Sequence, residues 1–342
     1  MHITEGQSKL VKPIVPAEIT ADMDLDEFVK ALSGCGFGAR RIGKAADIYT
    51  EMLSDEKTVK FFGLAGAMVP AGMRKIIADL IRDGHINVLI TTGANMVHDA
   101  LEGLYMPHYV GDDTANDVEL REEGIDRIYD VYLPDNHFED FEGFMQEIIA
   151  ELPTEKPVSI VEFMRHMGKH IDNPDSILRA AYDMNVPIYC PAFPDSVIGL
   201  QAWLYKETNP LVIDALGDMH DLMDICWEAE KAGAVFVGGG VPKNYTLQTM
   251  LVTPREFDYV IQLTMDTPQT GGLSGATLDE AVSWGKVNAE SKTVTVYSDA
   301  TITLPLMVAA ARSRLKKKAA GQAEQAEKKN EADKDGLTYP TD

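Results

Sequence analysis

The sequence predicts an α/β fold, in which helices cover both faces of a doubly wound, mostly parallel sheet. Two observations predict this class. Strand-like and helix-like runs alternate along the chain, as where TVKFFG at 58–63 is followed by the amphipathic GMRKIIADLIRD at 72–83. The strand-like runs are also apolar throughout, which is typical of parallel strands buried on both faces.

The chain is predicted to begin with a helical arm. Residues 1–23 are polar and contain prolines, and the apolar residues of 25–33 and 39–53 then recur at helical spacing. Beyond them, the predicted strands are 58–63, 86–91, 187–190, 211–214, 234–237, 258–264 and 293–297, and the predicted helices include 72–83, about 95–103 and 218–231.

Three segments are expected from these patterns. Residues 1–23 form the arm, 24–312 form a single α/β domain, and 313–342 form a charged tail. Within the domain, 105–138 is loop-rich and is expected to leave the sheet. The tail is rich in Ala, Gln and charge, which is typical of a solvated helix that frays into disorder.

The composition argues against several functions. A formal net charge of −23 leaves no basic field for a nucleic-acid backbone, and an acidic surface favours small cationic partners. The three scattered cysteines fit a reducing cytoplasm rather than a disulfide framework. The polar N-terminus predicts no secretory signal, and no apolar stretch reaches the roughly 18 residues of a membrane helix.

Small and polar residues follow five of the predicted strands, where α/β sheets bind ligands. The segments are GLAGAMVPAG at 63–72, TTGAN at 91–95, PAFPDS at 191–196, GGGVPKN at 238–244 and SDAT at 298–301. Together they predict one groove for a large ligand, with a dinucleotide as the natural candidate. Each signal alone is weak, and a glycine triplet such as 238–240 is often only a tight turn.

Two other patterns are discounted. GCGFGA at 34–39 has alternating glycines, but no strand precedes it, so it is interpreted as a helix-entry loop. His166 and His170 are four residues apart, and both could face a metal ion from one helix. No third ligand is evident in the sequence, so a solvated helix face is preferred and no metal is predicted.

The last third of the chain resembles the deoxyhypusine synthase family. The matching motifs are GGGVPK at 238–243, GGLSGATLDEAVSWGK at 271–286 and VYSDATITLPL at 296–306, and the resemblance extends over about 30–312. It implies a Rossmann-like homotetramer that binds NAD at subunit interfaces. It also implies that a hydride leaves spermidine, that the aminobutyl group passes to a lysine as an imine, and that an acceptor amine then takes it.

The resemblance identifies Lys286, in SWGK, as the nucleophile. Imine formation needs a neutral amine, which burial and neighbouring cations favour. Trp284 is expected to wall the pocket and face the alkylammonium chain, and Glu280 to hold an ammonium group. The NAD contacts that the resemblance implies are Ala67, Met68, Val69, Pro70, Ala71, Thr92, Gly93, Ala94, Asp195, Gly239, Met265, Asp266, Asp299 and Ala300.

Four substrate positions depart from the family pattern. Deoxyhypusine synthases have a Glu at the position of His98, Asp at the positions of Leu200 and Leu273, and His at the position of Asn244. A buried ammonium without an anionic partner costs several kcal/mol, so this pocket is expected to hold a polyamine differently. The alternatives are that nearby acids, such as Glu280, compensate or that the substrate is less cationic.

Three functions remain open from the sequence. The first is an NAD-dependent aminobutyl transferase with a small polyamine as acceptor, similar to homospermidine synthases. The second is a deoxyhypusine synthase proper, which modifies a lysine of a translation initiation factor. The third is an NAD-binding homologue that has lost the chemistry.

Overall fold

The structure, a computed structural model, describes residues 11–335. The beginning of the predicted arm and the end of the predicted tail, 1–10 and 336–342, lie outside the described residues. Residues 11–24 contain neither helix nor strand, so the helical part of the arm begins at Leu25. The backbone N–H of Val15 donates to the carbonyl of Gly34 at 3.0 Å, which fixes this segment against the first helix.

Helices account for most of the described chain. The α-helices are α1 (Leu25–Ser33), α2 (Phe37–Ser54), α3 (Arg74–Arg82), α4 (Gly93–Gly103), α5 (Asp117–Glu122), α6 (Asn136–Ala150), α7 (Ile160–Lys169), α8 (Ile177–Met184), α9 (Val197–Lys206), α10 (Asp218–Glu228), α11 (Gly240–Thr249), α12 (Leu278–Ser283) and α13 (Ala300–Asp335). A π-helix covers Val69–Met73, and 3-10 helices cover Met250–Val252 and Pro268–Thr270.

The strands form one large sheet and two small ones. They are β1 (Thr58–Leu64), β2 (Val88–Thr91), β3 (Tyr109–Val110), β4 (Ile125–Ile128), β5 (Val131–Pro134), β6 (Val158–Ser159), β7 (Ile188–Tyr189), β8 (Ile213–Asp214), β9 (Lys231–Val237), β10 (Phe257–Thr264) and β11 (Val287–Tyr297). The large sheet has the order β11-β10-β9-β1-β2-β7, and every neighbouring pair in it is parallel.

The strand order confirms the predicted fold class. Counted along the chain, these six strands are arranged 6-5-4-1-2-3, the order of doubly wound dinucleotide-binding sheets. The winding direction reverses between β1 and β9. The buried residues form a larger and a smaller hydrophobic core. Phe62 of β1 packs in the larger core and its neighbour Phe61 in the smaller one, so adjacent residues of the strand face opposite helical layers. Both faces are therefore covered, as the apolar strands predict.

Two predicted elements are wrong in detail. The run at 211–214 was expected in the main sheet, but β8 pairs only with β6 in a separate two-stranded sheet. Val212 in this run is exposed and Asp214 ends it, so it cannot be a core strand. The helix predicted over 218–231 ends at Glu228, because β9 begins at Lys231 to pair with Thr58.

The loop-rich region 105–138 lies outside the main sheet, as predicted, but it has its own structure. β3, β5 and β4 form an antiparallel sheet in that order, and α5 packs beside it. The guanidinium of Arg127 on β4 binds both carboxylate oxygens of Asp117 on α5 at 2.5 and 2.7 Å, so this small unit is held by a bidentate ion pair.

The long helix α13 is fastened to α1 by ion pairs. The carboxylate of Asp26, which is fully buried, accepts from Arg314 at 2.6 Å, Lys30 at 2.7 Å and Lys317 at 3.3 Å. Arg314 also binds Asp47 on α2 at 2.6 Å. The segment that begins at 313 was predicted to be a tail, but these contacts extend the packed part of the chain to Lys317. Within residues 11–335, no helix combines the length and apolar character needed to cross a bilayer.

Candidate active site

The carboxyl ends of the parallel strands bring the predicted cofactor segments to one edge of the main sheet. Four helices begin there, namely α4, α9, α11 and α13. Thr92 caps α4 by accepting from the N–H of Asn95 at 3.3 Å, and Ser196 caps α9 by accepting from Gly199 at 3.1 Å. Helix N-termini carry partial positive charge and free N–H groups, so this edge is suited to a pyrophosphate.

The loops on either side of the reversal point between β1 and β9 approach closely. A Cβ at Gly238 would lie 3.2 Å from Cβ of Ala65, and Gly238 has φ +76°, which favours glycine. The next loop residue, Gly240, has φ +57° and opens α11; a Cβ there would meet no described atom within 4 Å. The backbone at Gly240 is thus open to a ligand, and these residues fit a dinucleotide.

The other predicted cofactor residues line this edge in different ways. The side chains of Val69 and Pro70 are buried, and the N–H of Val69 donates to Asn95 at 3.3 Å, so these two residues serve mainly to shape the loop. Gly93 is buried against Ser196, while Ala94 is exposed. The remaining predicted cofactor residues are half-buried or exposed: Ala67, Met68, Ala71, Thr92, Met265 and Ala300.

Three exposed carboxylates stand at the same edge, after three different strands. Asp195 follows β7, Asp266 follows β10 and Asp299 follows β11. Asp266 accepts from the hydroxyl of Ser274, and Asp299 accepts from the N–H of Thr301 at 2.8 Å. A carboxylate at a strand end can hold a ribose hydroxyl pair, as the sequence predicts for all three.

The predicted nucleophile, Lys286, lines a cavity of about 270 Å³. Its Nζ lies 5.3 Å from the centroid of the Trp284 ring, within cation–π distance. The cavity brings together five of the predicted site residues: Lys286, Trp284, Glu280, Asn244 and Leu273. The side chain of Lys286 is half-buried, whereas Trp284 is 61% exposed, so the cavity is open to solvent on the Trp284 side.

A glycine turn positions Lys286. The short helix α12 is capped by Thr277 and stops at Ser283, and Gly285 then adopts φ +65°, which turns the chain away from the helix. The N–H of Lys286 donates to the carbonyl of Ala281 at 3.1 Å, and its carbonyl accepts from Phe257 at 3.1 Å. The backbone on both sides of Lys286 is therefore held, with the side chain left to face the cavity.

A second lysine of the cavity, Lys243, was not among the predicted site residues. It is 2% exposed, and its Nζ donates to Oε1 of Gln262 at 3.0 Å and to the carbonyl of Ala276 at 2.5 Å. Burial lowers the pKa of Lys243 to about 8, and the charge of Glu280 acts in the opposite direction. Its place in the GGGVPK motif was the sequence signal that could have identified it.

The cavity and the cofactor edge meet through one loop. A Cβ at Gly239 would lie 2.4 Å from Cα of Ser274, so the glycine turn packs directly on the segment that follows Leu273. Lys286 itself, however, precedes Val287, which pairs with Phe257 at the opposite end of β10. The two ends of β10 are about 23 Å apart at 3.3 Å per residue, so Lys286 and the cofactor loops approach from different edges.

His98 and Leu200 do not line the Lys286 cavity. Leu200 is half-exposed on α9. His98 on α4 belongs to a chain of polar groups instead: its Nδ1 lies 2.9 Å from Nε2 of His108, and Nδ1 of His108 lies 2.8 Å from Glu102. Arg74 completes the chain at 3.5 Å from Glu102.

This chain of hydrogen bonds aligns two imidazoles behind one carboxylate. Burial opposes ionisation of Glu102, but the hydrogen bonds from His108 and the charge of Arg74 hold its pKa below the usual range. The carboxylate can only accept, so His108 donates from Nδ1 to Glu102. When the His108 ring is neutral, its Nε2 accepts the Nδ1–H of His98. Burial, followed by the charge of His108, lowers the pKa of His98 to about 4. His98 therefore stays neutral, and beside a neutral His108 its lone pair is on Nε2.

Comparison with known proteins decides the family. A sequence model described as deoxyhypusine synthase matches residues 27–311. The chain belongs to the deoxyhypusine synthase family. It is 65% identical over 318 residues to "Probable deoxyhypusine synthase 1" of Methanosarcina acetivorans, which covers 93% of this chain and 100% of that relative. "Probable deoxyhypusine synthase 2" of the same organism is 40% identical over 306 residues, covering 86% and 88% respectively.

A solved structure supports the same fold. The crystal structure of a proposed deoxyhypusine synthase from Entamoeba histolytica superposes with a TM-score of 0.60, covering 84% of this chain and 93% of that one. At 16% identity this likeness concerns the fold alone. Family membership makes the protein an NAD-dependent transferase of alkyl groups other than methyl, and the predicted cofactor, NAD, is confirmed as that of the family.

Proposed function

We propose that this deoxyhypusine synthase family member transfers an aminobutyl group from a polyamine to a small acceptor amine, through an imine on Lys286. The observation that carries the proposal is the cavity in which Lys286, Trp284 and Glu280 meet. Trp284 provides an apolar wall and a cation–π face for an alkylammonium chain, and Glu280 an anionic partner for one of its ends.

NAD fits the carboxyl edge of the sheet. The N-termini of α4 and α11 would hold the pyrophosphate, and Asp195, Asp266 or Asp299 the ribose hydroxyls. When bound, NAD supplies hydride transfer from and to the amine carbon. The protein's own contribution is to bind the amine, exclude water and provide the nucleophile.

The nucleophilic step falls to Lys286. Its neutral Nζ adds to the imine carbon of the oxidised substrate, and the remaining amine fragment leaves with the proton that Lys286 releases. The aminobutyl group is then held on Lys286 as an imine. A neutral acceptor amine adds to the same carbon and displaces Lys286, which returns to its free form.

His98 is suited to prepare the amine for this chemistry. An amine reacts only as the free base, and the lone pair on Nε2 of His98 can accept its proton. The Nδ1–H of His98 can pass to His108, whose positive charge is then balanced by Glu102. A carboxylate at position 98 would bind an ammonium group as an ion, whereas the imidazole binds it as a base.

We further propose that the working assembly is a homotetramer in which two copies complete each site. Lys286 approaches from the amino edge of the sheet, whereas the cofactor loops lie at the carboxyl edge. Several large apolar side chains around these regions are exposed in the single chain, namely Leu200, Trp203, Leu251, Met265, Leu273 and Trp284. Exposed apolar surface of this kind is typical of subunit interfaces.

The altered pocket favours a small acceptor over a protein lysine. Leu200 and Leu273 stand where the family pattern has carboxylates, so fewer charges are present to hold a long polycation. Two different relatives in Methanosarcina acetivorans are consistent with divided roles for such paralogues. The alternative is a deoxyhypusine synthase proper, which would alkylate a lysine of a translation initiation factor.

The acceptor experiment separates these functions. The protein is incubated with NAD and spermidine, together with either putrescine or a translation-factor precursor, and the products are analysed by mass spectrometry. We expect alkylated putrescine. Alkylation of the protein lysine alone would establish the alternative, and no transfer to either acceptor would support the non-catalytic NAD-binding homologue.

Restoring the family carboxylates provides a matched test of the pocket. Leu200→Asp and Leu273→Asp replace half-exposed side chains, so neither should disturb folding. We expect the double variant to bind spermidine about 10-fold or more tightly, because each new anion gives an ammonium group a partner. The controls are Leu200→Asn and Leu273→Asn, because Asn has the shape of Asp without its charge. An equal gain with Asn would contradict the role of charge.

A further inference from the structure

Glu151, His166 and His170 form a cluster that the active site does not use. Glu151 directly follows α6, His166 lies in the last turns of α7, and His170 directly follows that helix. One potential ligand atom from each lies within 4.8 Å of the other two. The sequence identified the two histidines but not the carboxylate, because Glu151 is on a different helix.

The geometry is close to that of a bound transition metal. Nε2 of His170 lies 3.1 Å from Oε2 of Glu151, and Nε2 of His166 lies 4.0 Å from the same oxygen. Zinc binds imidazole nitrogen and carboxylate oxygen at about 2.0–2.2 Å, which places tetrahedral ligand atoms about 3.3–3.6 Å apart. The half-exposed side chain of Glu151 can make the remaining adjustment by rotation.

The backbone around the cluster favours a cation. α6 and α7 both end beside it, and the C-terminal end of a helix carries partial negative charge. Glu151 also forms an ion pair with the ammonium of Lys169, whose Nζ lies 3.8 Å away. The side chain of Lys169 is half-exposed, so it can turn into solvent when a metal binds.

His170 contributes a second, independent observation. Its Nε2 is buried and has no hydrogen-bond partner in the described part of the chain, since its short approach to Glu151 has the wrong angle for a hydrogen bond. A buried polar atom without a partner costs about 1–3 kcal/mol. A metal ion in the cluster would give this nitrogen a partner.

We propose that Glu151, His166 and His170 bind a divalent cation of the zinc class and join the C-terminal ends of α6 and α7. Two imidazoles select zinc-like ions over magnesium or calcium, which prefer oxygen ligands. Three protein ligands leave a fourth position for water. The Nε2 of His166 now donates to the carbonyl of Ile148 at 2.8 Å, so metal binding exchanges this hydrogen bond for a coordinate bond.

Zinc titration of the full chain tests the site without any measurement of activity. After dialysis against a chelator, ZnCl2 binding is followed by calorimetry in the wild type and in Glu151→Gln, His166→Gln and His170→Gln. The His166→Gln amide can still donate to Ile148, which preserves the helix end. His220→Gln is the control, because His220 on α10 also faces a carboxylate, Asp224 at 3.7 Å, but has no third ligand among residues 11–335.

We expect one zinc ion per chain, a rise in Tm with zinc, and a loss of affinity of about 10-fold or more in each cluster variant but not in His220→Gln. The visible absorption of bound Co²⁺ should disappear in the same three variants. Wild-type protein that binds no zinc, or cluster variants that bind it like the wild type, would overturn the proposal. Failure here leaves the transferase proposal untouched, because the two rest on different residues.

Discussion

At the scale of single residues, the ionisation of Lys243 is linked to folding. Burial lowers its pKa from the ordinary 10.5 to about 8. Between these two pH values the unfolded chain holds a proton on this lysine that the folded chain has released. The free energy of unfolding should therefore rise with pH across this window.

The substitution Lys243→Met tests this linkage. We expect the wild type to gain up to about 3 kcal/mol in free energy of unfolding from Lys243 between pH 8 and 10.5, at 1.36 kcal/mol per pKa unit. Urea unfolding at both ends of the window measures the gain. The Met variant should lack it, whereas Lys57→Met, which changes a surface lysine paired with Glu230, should keep it. Equal pH slopes in wild type and Lys243→Met would contradict the assignment.

His108 should govern the proton-accepting nitrogen of His98. Replacing His108 by Phe removes the acceptor for Nδ1–H of His98, and we expect kcat/KM to fall by about 10-fold or more. Because the charge of His108 lowers the pKa of His98, the variant should also show an acid limb above the wild-type value of about 4. His108→Gln keeps an acceptor oxygen and should recover much of the activity. A loss with no change in the pH profile would indicate a purely structural role.

Some of the candidate site residues could be identified from the sequence, and others could not. Lys286, Trp284 and Glu280 could be proposed together, because they lie within one motif and one turn of chain. His98 was found through its departure from a pattern. Its partner His108 was not, because the loop that brings the two rings within hydrogen-bond distance depends on how α4 ends and not on any local periodicity.

At the scale of elements, α13 unites the first and last parts of the domain. Arg314 and Lys317 reach Asp26, whose pKa stays below its usual range because these cations outweigh the effect of burial. Two truncations should separate the packed part of this helix from the rest. A chain that ends at 312 loses both cations and leaves the buried carboxylate with Lys30 as its remaining partner, whereas a chain that ends at 323 keeps them.

We expect the shorter chain to lose about 3 kcal/mol or more in free energy of unfolding and the longer one to remain near the wild type. The direction in which this stabilisation changes with pH follows from the lowered pKa of Asp26. The contribution is present above the unfolded value near 3.9 and is lost as the pH falls below it. Urea unfolding at pH 7 and near pH 2 measures both effects. Equal stability of the two truncations at pH 7 would place the domain boundary at 312, as the sequence predicts.

Elements with long apolar runs were predictable, and short or irregular ones were not. β1, β9 and β10 are buried on both faces, so composition alone marks them. The π-helix at Val69–Met73 was missed, because the sequence pattern places Gly72 at the start of a helix over 72–83. In the structure Gly72 has φ +81° and belongs to the π-helix, and α3 begins only at Arg74. The small antiparallel sheet was missed as well, since its strands are only two to four residues long and mostly half-buried.

At the scale of the whole molecule, the account requires two copies to share each site. Lys286→Ala removes the nucleophile. Ala94→Glu adds a negative charge at the exposed start of α4, where a pyrophosphate would bind. Each variant alone should be inactive. Mixed and reassembled, they should recover about a quarter of the wild-type activity. About half of the randomly formed pairs contain one copy of each variant, and one of the two sites in such a pair is intact.

The mixing experiment has a built-in control. A single chain that carries both substitutions, reassembled with the Lys286→Ala variant, can form no intact site and should stay inactive. Recovery there would point to incomplete inactivation. No recovery in the first mixture, with assembly confirmed by mass measurement, would mean that each chain holds a complete site of its own.

Borohydride trapping tests the central claim, the covalent role of Lys286, most directly. The protein is incubated with NAD and spermidine, reduced, digested and examined by mass spectrometry, with Lys286→Arg and Lys243→Arg in parallel. We expect an aminobutyl adduct on Lys286 in the wild type and in Lys243→Arg, and none in Lys286→Arg. An adduct on Lys243, or no adduct on either lysine while NAD is bound, would contradict it.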